Sequence, residues 1–295
     1  MKKRIITTIA FLTLSFTFAQ QITVEEIYAN YIKAIGGKDK LESIVNKIDI
    51  NSLTSESTIT GAFNSQTKME QEIINFYDYS TPPQSATILK QPPSSLTGNK
   101  TEFTRYLTAN GKTTMLFSDG KKQVMASTHN KYRENPFPDT MIPSGSKVLT
   151  NENFNGKEVY VVSYEEITGI IKLDCLAYFD IDSGLLLGTK SVSKQEVAGR
   201  NTTSTISLNM FEEYREVEGI LIPHKHITNI KTETTGTVSM TSISNMITTV
   251  IAIEFNIDTE DFKQNCFQNP EACFEKYEKK IKSLFFGKSK IILQT

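Results

Sequence analysis

The chain has 295 residues, with 32 basic against 33 acidic side chains, three histidines, no tryptophan and 38% hydrophobic content. That length suits one large β domain or two small ones, and the single-domain reading is preferred. The near-neutral balance turns mildly acidic once Lys2, Lys3 and Arg4 are removed, which argues against nucleic acid as a partner.

Those three cations open a secretory signal, followed by an apolar stretch from Ile5 to Phe18 and the small residue Ala19. Cleavage is expected after Ala19, giving a signal peptide over 1–19 and a mature domain over 20–295. The apolar stretch, about 14 residues long and interrupted by Thr and Ser, falls short of the ~20 needed to span a bilayer. No cysteine follows Ala19, so lipid anchoring is not expected. Later segments are too polar to cross a membrane; Met246 to Phe255 is broken by Thr248, Thr249 and Glu254.

The first element of the mature chain is a helix. Thr23 and Glu26 form a capping box, Val24, Ile27, Tyr28, Tyr31, Ile32 and Ile35 recur at helical spacing, and Gly36-Gly37 supplies the stop. A short second turn carries Leu41, Ile44 and Val45. From Lys47 to about Asn256 the helical period gives way to Thr-, Ser-, Ile-, Val- and aromatic-rich runs separated by turn residues, the pattern of an antiparallel meander.

Strands are expected near 48–53, 56–63, 67–79, 85–90, 101–108, 112–118, 121–127, 158–165, 170–180, 185–195, 202–214, 221–232, 237–247 and 249–256. Asn110-Gly111 and Asp119-Gly120 suit tight hairpins. A Pro- and Gly-rich crossing loop from Asn135 to Asn155 divides the meander in two, and Pro82-Pro83 with Pro92-Pro93 bracket a short strand that reads as a flap. A last helix, at about 270–286, begins at Asn269-Pro270-Glu271. Several strands are apolar on both faces: Tyr160, Val162 and Tyr164 share one side, Val159 and Val161 the other. Such strands need cover on each side, from helices, from a packed interior or from an apolar ligand.

In an exported chain three cysteines invite a disulfide reading. Cys266 and Cys273 are expected to pair, three unpaired thiols being the alternative, and Cys175 to be a buried thiol on the strand face shared by Ile171, Leu173, Ala177 and Phe179. No zinc-protease, phosphate-loop, nucleophile-elbow or Cys-x-x-Cys signature occurs, so no catalytic residue and no cofactor is assigned. Glu165-Glu166 and Glu212-Glu213 are each split across the sheet by strand alternation. His224 and His226 share a strand face by the same rule, but nothing near in sequence completes a metal-binding set, and no metal is assigned.

The ordered set Val24-Glu25-Glu26-Ile27-Tyr28 to Ala34-Ile35-Gly36-Gly37, Gly156-Lys157-Glu158-Val159-Tyr160, Tyr178-Phe179-Asp180-Ile181-Asp182-Ser183-Gly184-Leu185 and Tyr214-Arg215-Glu216-Val217-Glu218-Gly219-Ile220 to Pro223 resembles the LolA-like outer-membrane lipoprotein-sorting proteins of Gram-negative bacteria. The resemblance implies a mainly β fold with a few helices, a curved antiparallel sheet forming an incomplete barrel. It also implies a soluble, non-catalytic periplasmic carrier whose partners are lipids or lipidated proteins, with envelope proteins as further partners. Ile171, Leu173, Phe179, Ile206, Leu208 and Met210 are the candidates to line its apolar concave face. The alternative is a non-catalytic envelope module with a side-chain-filled core.

Overall fold

The computed structural model describes residues 22–62, 64–79, 84–91, 101–117, 120–126, 135–168, 171–197, 201–237 and 239–276. The signal segment, the proline pairs at 82–83 and 92–93 and the helix beyond residue 276 lie outside the described residues. Among the described residues fourteen antiparallel strands form one sheet. The first meander comprises β1 (Asn46–Gly61), β2 (Ser65–Asp78), β3 (Gln84–Gln91), β4 (Glu102–Ala109), β5 (Lys112–Leu116) and β6 (Lys122–Ala126). The crossing segment contributes a 3-10 turn, Pro138–Thr140, and two short strands, β7 (Lys147–Val148) and β8 (Glu152–Phe154). The second meander comprises β9 (Lys157–Thr168), β10 (Ile171–Asp180), β11 (Leu186–Val197), β12 (Asn201–Val217), β13 (Ile220–Gly236) and β14 (Met240–Phe255).

The two meanders lie side by side because β1 pairs with β14, and the path runs from β6 to β7 without closing. The fold class expected from sequence is therefore present: an open, mainly antiparallel sheet with short helices. Two pairs of expected strands are each one element. The Ser- and Thr-rich middle of β1 is polar on both sides, which reads as a break, but its backbone is paired with β2 and β14 at once. Ladder pairing on both sides carries it through, and the irregularity in the β1–β14 register falls instead at Ile50/Asn51.

The opposite faces of the sheet are covered by different ends of the chain. Helix α1 (Val24–Ala34) has the expected capping box, with the Thr23 backbone N–H donating to Glu26 Oε2 at 2.9 Å and the Glu26 N–H donating to Thr23 Oγ1 at 3.2 Å. Its buried stripe of Val24, Ile27, Tyr28 and Tyr31, continued by Ile35, packs on Val162, Ala177, Phe179, Leu186, Ile220 and Phe255. Phe179 is 1% exposed and meets the rings of Tyr28 and Tyr31 at 5.1 and 5.6 Å between centroids. Gly36, at φ +134°, ends the helix where a Cβ would stand 2.9 Å from the Gly219 carbonyl oxygen. That close approach lets the Leu221 N–H donate to the Ile35 carbonyl at 3.0 Å, fastening the helix to β13.

The other cover uses the other parity of β1. Ile48 and Ile50 with Ile74, Phe76, Ala86 and Ile88 form a second core against Phe262, Phe274 and the Cys266–Cys273 disulfide. Phe262 ends the short helix α2 (Thr259–Phe262) and stacks on Phe76 at 4.3 Å; Phe274 stands in the helical segment over 270–276. The disulfide staples these two pieces together, as expected from sequence. A third small core, on the side of β10 opposite Ala177 and Phe179, holds Val159, Val161 and Tyr178 with Phe154 of β8. Strands apolar on both faces thus find cover on both.

Candidate functional site

Among the described residues, nothing fills the concave face beside α1. A cavity of about 560 Å³ lies among β1, β2, β9–β14, the last turn of α1 and the crossing segment. The size falls within the ~300–1,000 Å³ of small-molecule sites. Pro136, Phe137, Pro138 and Asp139 form a strap on one side. Phe137 anchors the strap, its ring 6.2 Å from that of Phe255, and the Thr140 hydroxyl donates to the Phe137 carbonyl at 2.7 Å.

The lining divides by chemistry. Tyr31 and Ile35 of the helix, Leu173 and Cys175 of β10, and Leu186 of β11 contribute apolar or weakly polar surface, extended by Phe211, Tyr214 and Ile222. Phe211 and Tyr214 both reach the cavity although three positions apart. Glu213 between them adopts φ +53°, which breaks strand alternation and returns the next side chain to the inside. Burial pushes the Tyr214 phenol well above the ordinary tyrosine range. It remains neutral, and donates to the Leu186 carbonyl at 2.6 Å.

On the β1–β2 side the lining is polar. Lys47, Asp49 and Asn51 project inward from β1 on the parity opposite Ile48 and Ile50, and Asn75 joins them from β2. Asp49 Oδ1 accepts from Asn51 Nδ2 at 2.5 Å and Asn75 Nδ2 at 2.9 Å, while Lys47 Nζ lies 3.3 Å from Asp49 Oδ2. The ammonium also sits 5.0 Å from the centre of the Tyr77 ring. A second polar strip crosses β13, β12 and β11: Thr228 donates to Asn209 Oδ1 at 2.9 Å, and Asn209 Nδ2 to Thr189 Oγ1 at 3.2 Å.

His226 lines the same space, whereas His224 does not. Burial lowers the pKa of both rings, against the opposing pull of Asp49 and Asp139 at His226 and of Glu213 at His224, where Arg215 adds to the lowering. The two histidines thus face different surroundings, and among the described residues no group of three His, Cys, Asp or Glu side chains is placed to hold a metal. The acidic pairs are separated and ion-paired: Glu165 with Lys172 at 2.7 Å, Glu212 with Lys225 at 2.9 Å, Glu213 with Arg215 at 2.5 Å.

No family model and no curated protein matches the chain. The chain is similar to several solved structures. A DUF1329 family protein from Desulfovibrio piger is 9% identical, with a TM-score of 0.43, over 81% of this chain and 95% of that one. A putative outer membrane lipoprotein-sorting protein domain from Vibrio parahaemolyticus is 14% identical, with a TM-score of 0.40, over 75% and 90%. A LolA superfamily protein from Nitrosomonas europaea is 10% identical, with a TM-score of 0.38, over 82% and 97%.

Of the six candidate lining residues, Leu173 is placed at the cavity wall. Phe179 has the same parity but is buried beneath α1, and Ile171, also of that parity, stands at the start of β10 away from the cavity. Ile206, Leu208 and Met210 require a correction: ahead of the irregularity at Glu213 the inward positions of β12 are Asn209 and Phe211, which puts the even-numbered residues of that stretch on the other side. Ile206 is 40% exposed there, and the Met210 sulfur accepts from Asn155 Nδ2 at 3.3 Å. Apolar content favoured the wrong parity, since the inward side of β12 carries an Asn. The alternation of Lys47, Asp49 and Asn51 with Ile48 and Ile50 was the available signal for the polar wall.

Proposed function

We propose that this protein is an exported, non-catalytic carrier that holds the hydrocarbon chain of a lipid or lipidated molecule in the cavity between α1, the strap and the curved sheet. The observation that carries the reading is the cavity itself: α1 fills one part of the concave face with side chains, yet the adjoining part, walled by Leu173, Leu186, Phe211 and Ile222, encloses about 560 Å³. At ~30 Å³ per water-sized group the space accommodates roughly one single-chain amphiphile, not the several chains of a fully acylated lipoprotein anchor. Burial of that chain, at ~0.8 kcal/mol per methylene, supplies the affinity.

No helix among the described residues is long and apolar enough to cross a membrane. With the signal-like segment at positions 2–19, the reading places the carrier in the periplasm. Native mass spectrometry of protein purified from the periplasm tests it, paired with uptake of a polarity-sensitive fluorescent fatty acid by delipidated protein. Bound lipid, or saturable uptake that Leu173→Arg abolishes while the circular dichroism spectrum stays unchanged, is expected. A folded protein with neither bound lipid nor uptake would sink the carrier reading and leave the envelope-module alternative.

A further inference from the structure

The polar wall says what kind of head the hydrocarbon chain carries. We propose that the cavity selects an amphiphile with one hydrocarbon chain and an uncharged, hydroxyl-bearing head of the monoacylglycerol or alkyl-glycoside class, with that head at Lys47, Asp49, Asn51, Asn75 and His226. The proposal rests on the carrier reading and adds the head chemistry to it.

Three observations converge. The cation and anion at the wall neutralise each other: Lys47 lies 3.3 Å from an Asp49 carboxylate that also accepts from two amides, so the pair presents neither sign of charge to a ligand. The carboxylates lining the cavity, Asp49, Asp139 and Glu166, outnumber the lining ammonium groups of Lys47 and Lys190, which disfavours a carboxylate or phosphate head. The third observation is the mixture of hydrogen-bonding types. Asn51 and Asn75 each direct one N–H at Asp49, and a primary amide has a second. His226 Nε2 lies 3.2 Å from the Pro223 carbonyl and so carries the proton, which makes Nδ1 an acceptor in the neutral ring that burial favours.

A carboxylate only accepts and an ammonium only donates, whereas a hydroxyl does both. Donors and acceptors alternating within one wall match hydroxyls. A wall meant for hydrocarbon would leave Asp49 and Asn51, which are only 7% exposed, without purpose in a place where polar burial is costly.

The test uses the full mature chain and displacement of a polarity-sensitive fluorescent probe at pH 8 by ligands of equal chain length: monolaurin, dodecyl glucoside, laurate and dodecylammonium. One of the two neutral ligands is expected to bind at least roughly tenfold more tightly than either ion, because a charged head would leave buried groups unmatched. Glycerol and sugar heads are told apart by which of the two leads. Asn75→Leu should reduce that preference to near unity; His226→Leu, within the same head site, gives the same comparison should the first variant fold poorly. Laurate or dodecylammonium binding as tightly as both neutral ligands would overturn the head assignment and leave the carrier intact. Failure of the probe and all four ligands to bind would instead remove the carrier reading and this proposal together.

Discussion

Chain length gives the sharpest quantitative test of the cavity. A volume of about 560 Å³ holds roughly 18 groups of water-like size at ~30 Å³ each, and a polar head of several atoms leaves room for ~12 to 14 methylenes. Within that limit each added methylene should contribute ~0.8 kcal/mol, close to a fourfold gain in affinity. From an eight-carbon to a twelve-carbon chain the gain accumulates to ~3 kcal/mol, or about two orders of magnitude in Kd. Beyond roughly 14 carbons the extra methylenes remain in water and the curve flattens. Isothermal titration calorimetry on a series of monoacylglycerols measures it, with a negative heat-capacity change growing along the rising part. Equal increments continuing to 18 carbons would show that the chain is held elsewhere or that the cavity enlarges, and a flat response throughout would refute hydrocarbon burial as the source of affinity.

The remaining expectations concern the frame around the cavity. Phe179→Ala removes the ring under Tyr28 and Tyr31 and should cost ~3–5 kcal/mol, read as a lower midpoint in urea with little change in slope. Replacing Cys266 and Cys273 by serine opens a short loop and should cost ~2–3 kcal/mol, visible as a lowered Tm. Because that staple lies behind Ile48 and Ile50, on the face of β1 opposite the cavity, ligand affinity of the protein that remains folded should hardly change. Stability should also fall on acidification. His224 and His226 have folded pKa values depressed below 6.5 by burial, so in the interval from 6.5 down to those values the unfolded chain takes up protons that the folded chain does not. The stabilisation is full above 6.5 and is lost progressively below it; His226→Leu should flatten that part of the curve, and an unchanged pH profile would remove His226 as a contributor.

Much of the architecture was legible because local chemistry and tertiary outcome coincide. The Thr23–Glu26 box, the stripe from Val24 to Ile35 and the Gly36-Gly37 stop produce α1 with the same chemistry an isolated helix would use. The double apolar faces of β9 anticipated two covers, found as α1 inside and β8 with its neighbours outside. Breaks placed within β1 and β14 did not occur, because the hydroxyl-rich runs are stabilised by pairing to neighbours remote in sequence.

The cavity was only half legible. Leu173 was reachable from alternation along β10, since that strand is regular across its inward positions. On β12 the same logic pointed to Ile206, Leu208 and Met210, because the apolar parity there faces away from the cavity and Asn209 faces in. Sequence by itself determined the helices' caps, the alternating strands, the turns and the short-range disulfide, all set by interactions within a few residues. Only the tertiary structure decided which side of each strand is inside, that a strap spanning Pro136 to Asp139 leaves space beneath it, and that Lys47, Asp49, Asn51, Asn75 and His226 share one cavity. Alternation fixes that two faces exist, but which one is concave depends on how a sheet curves around a helix joined to it far along the chain.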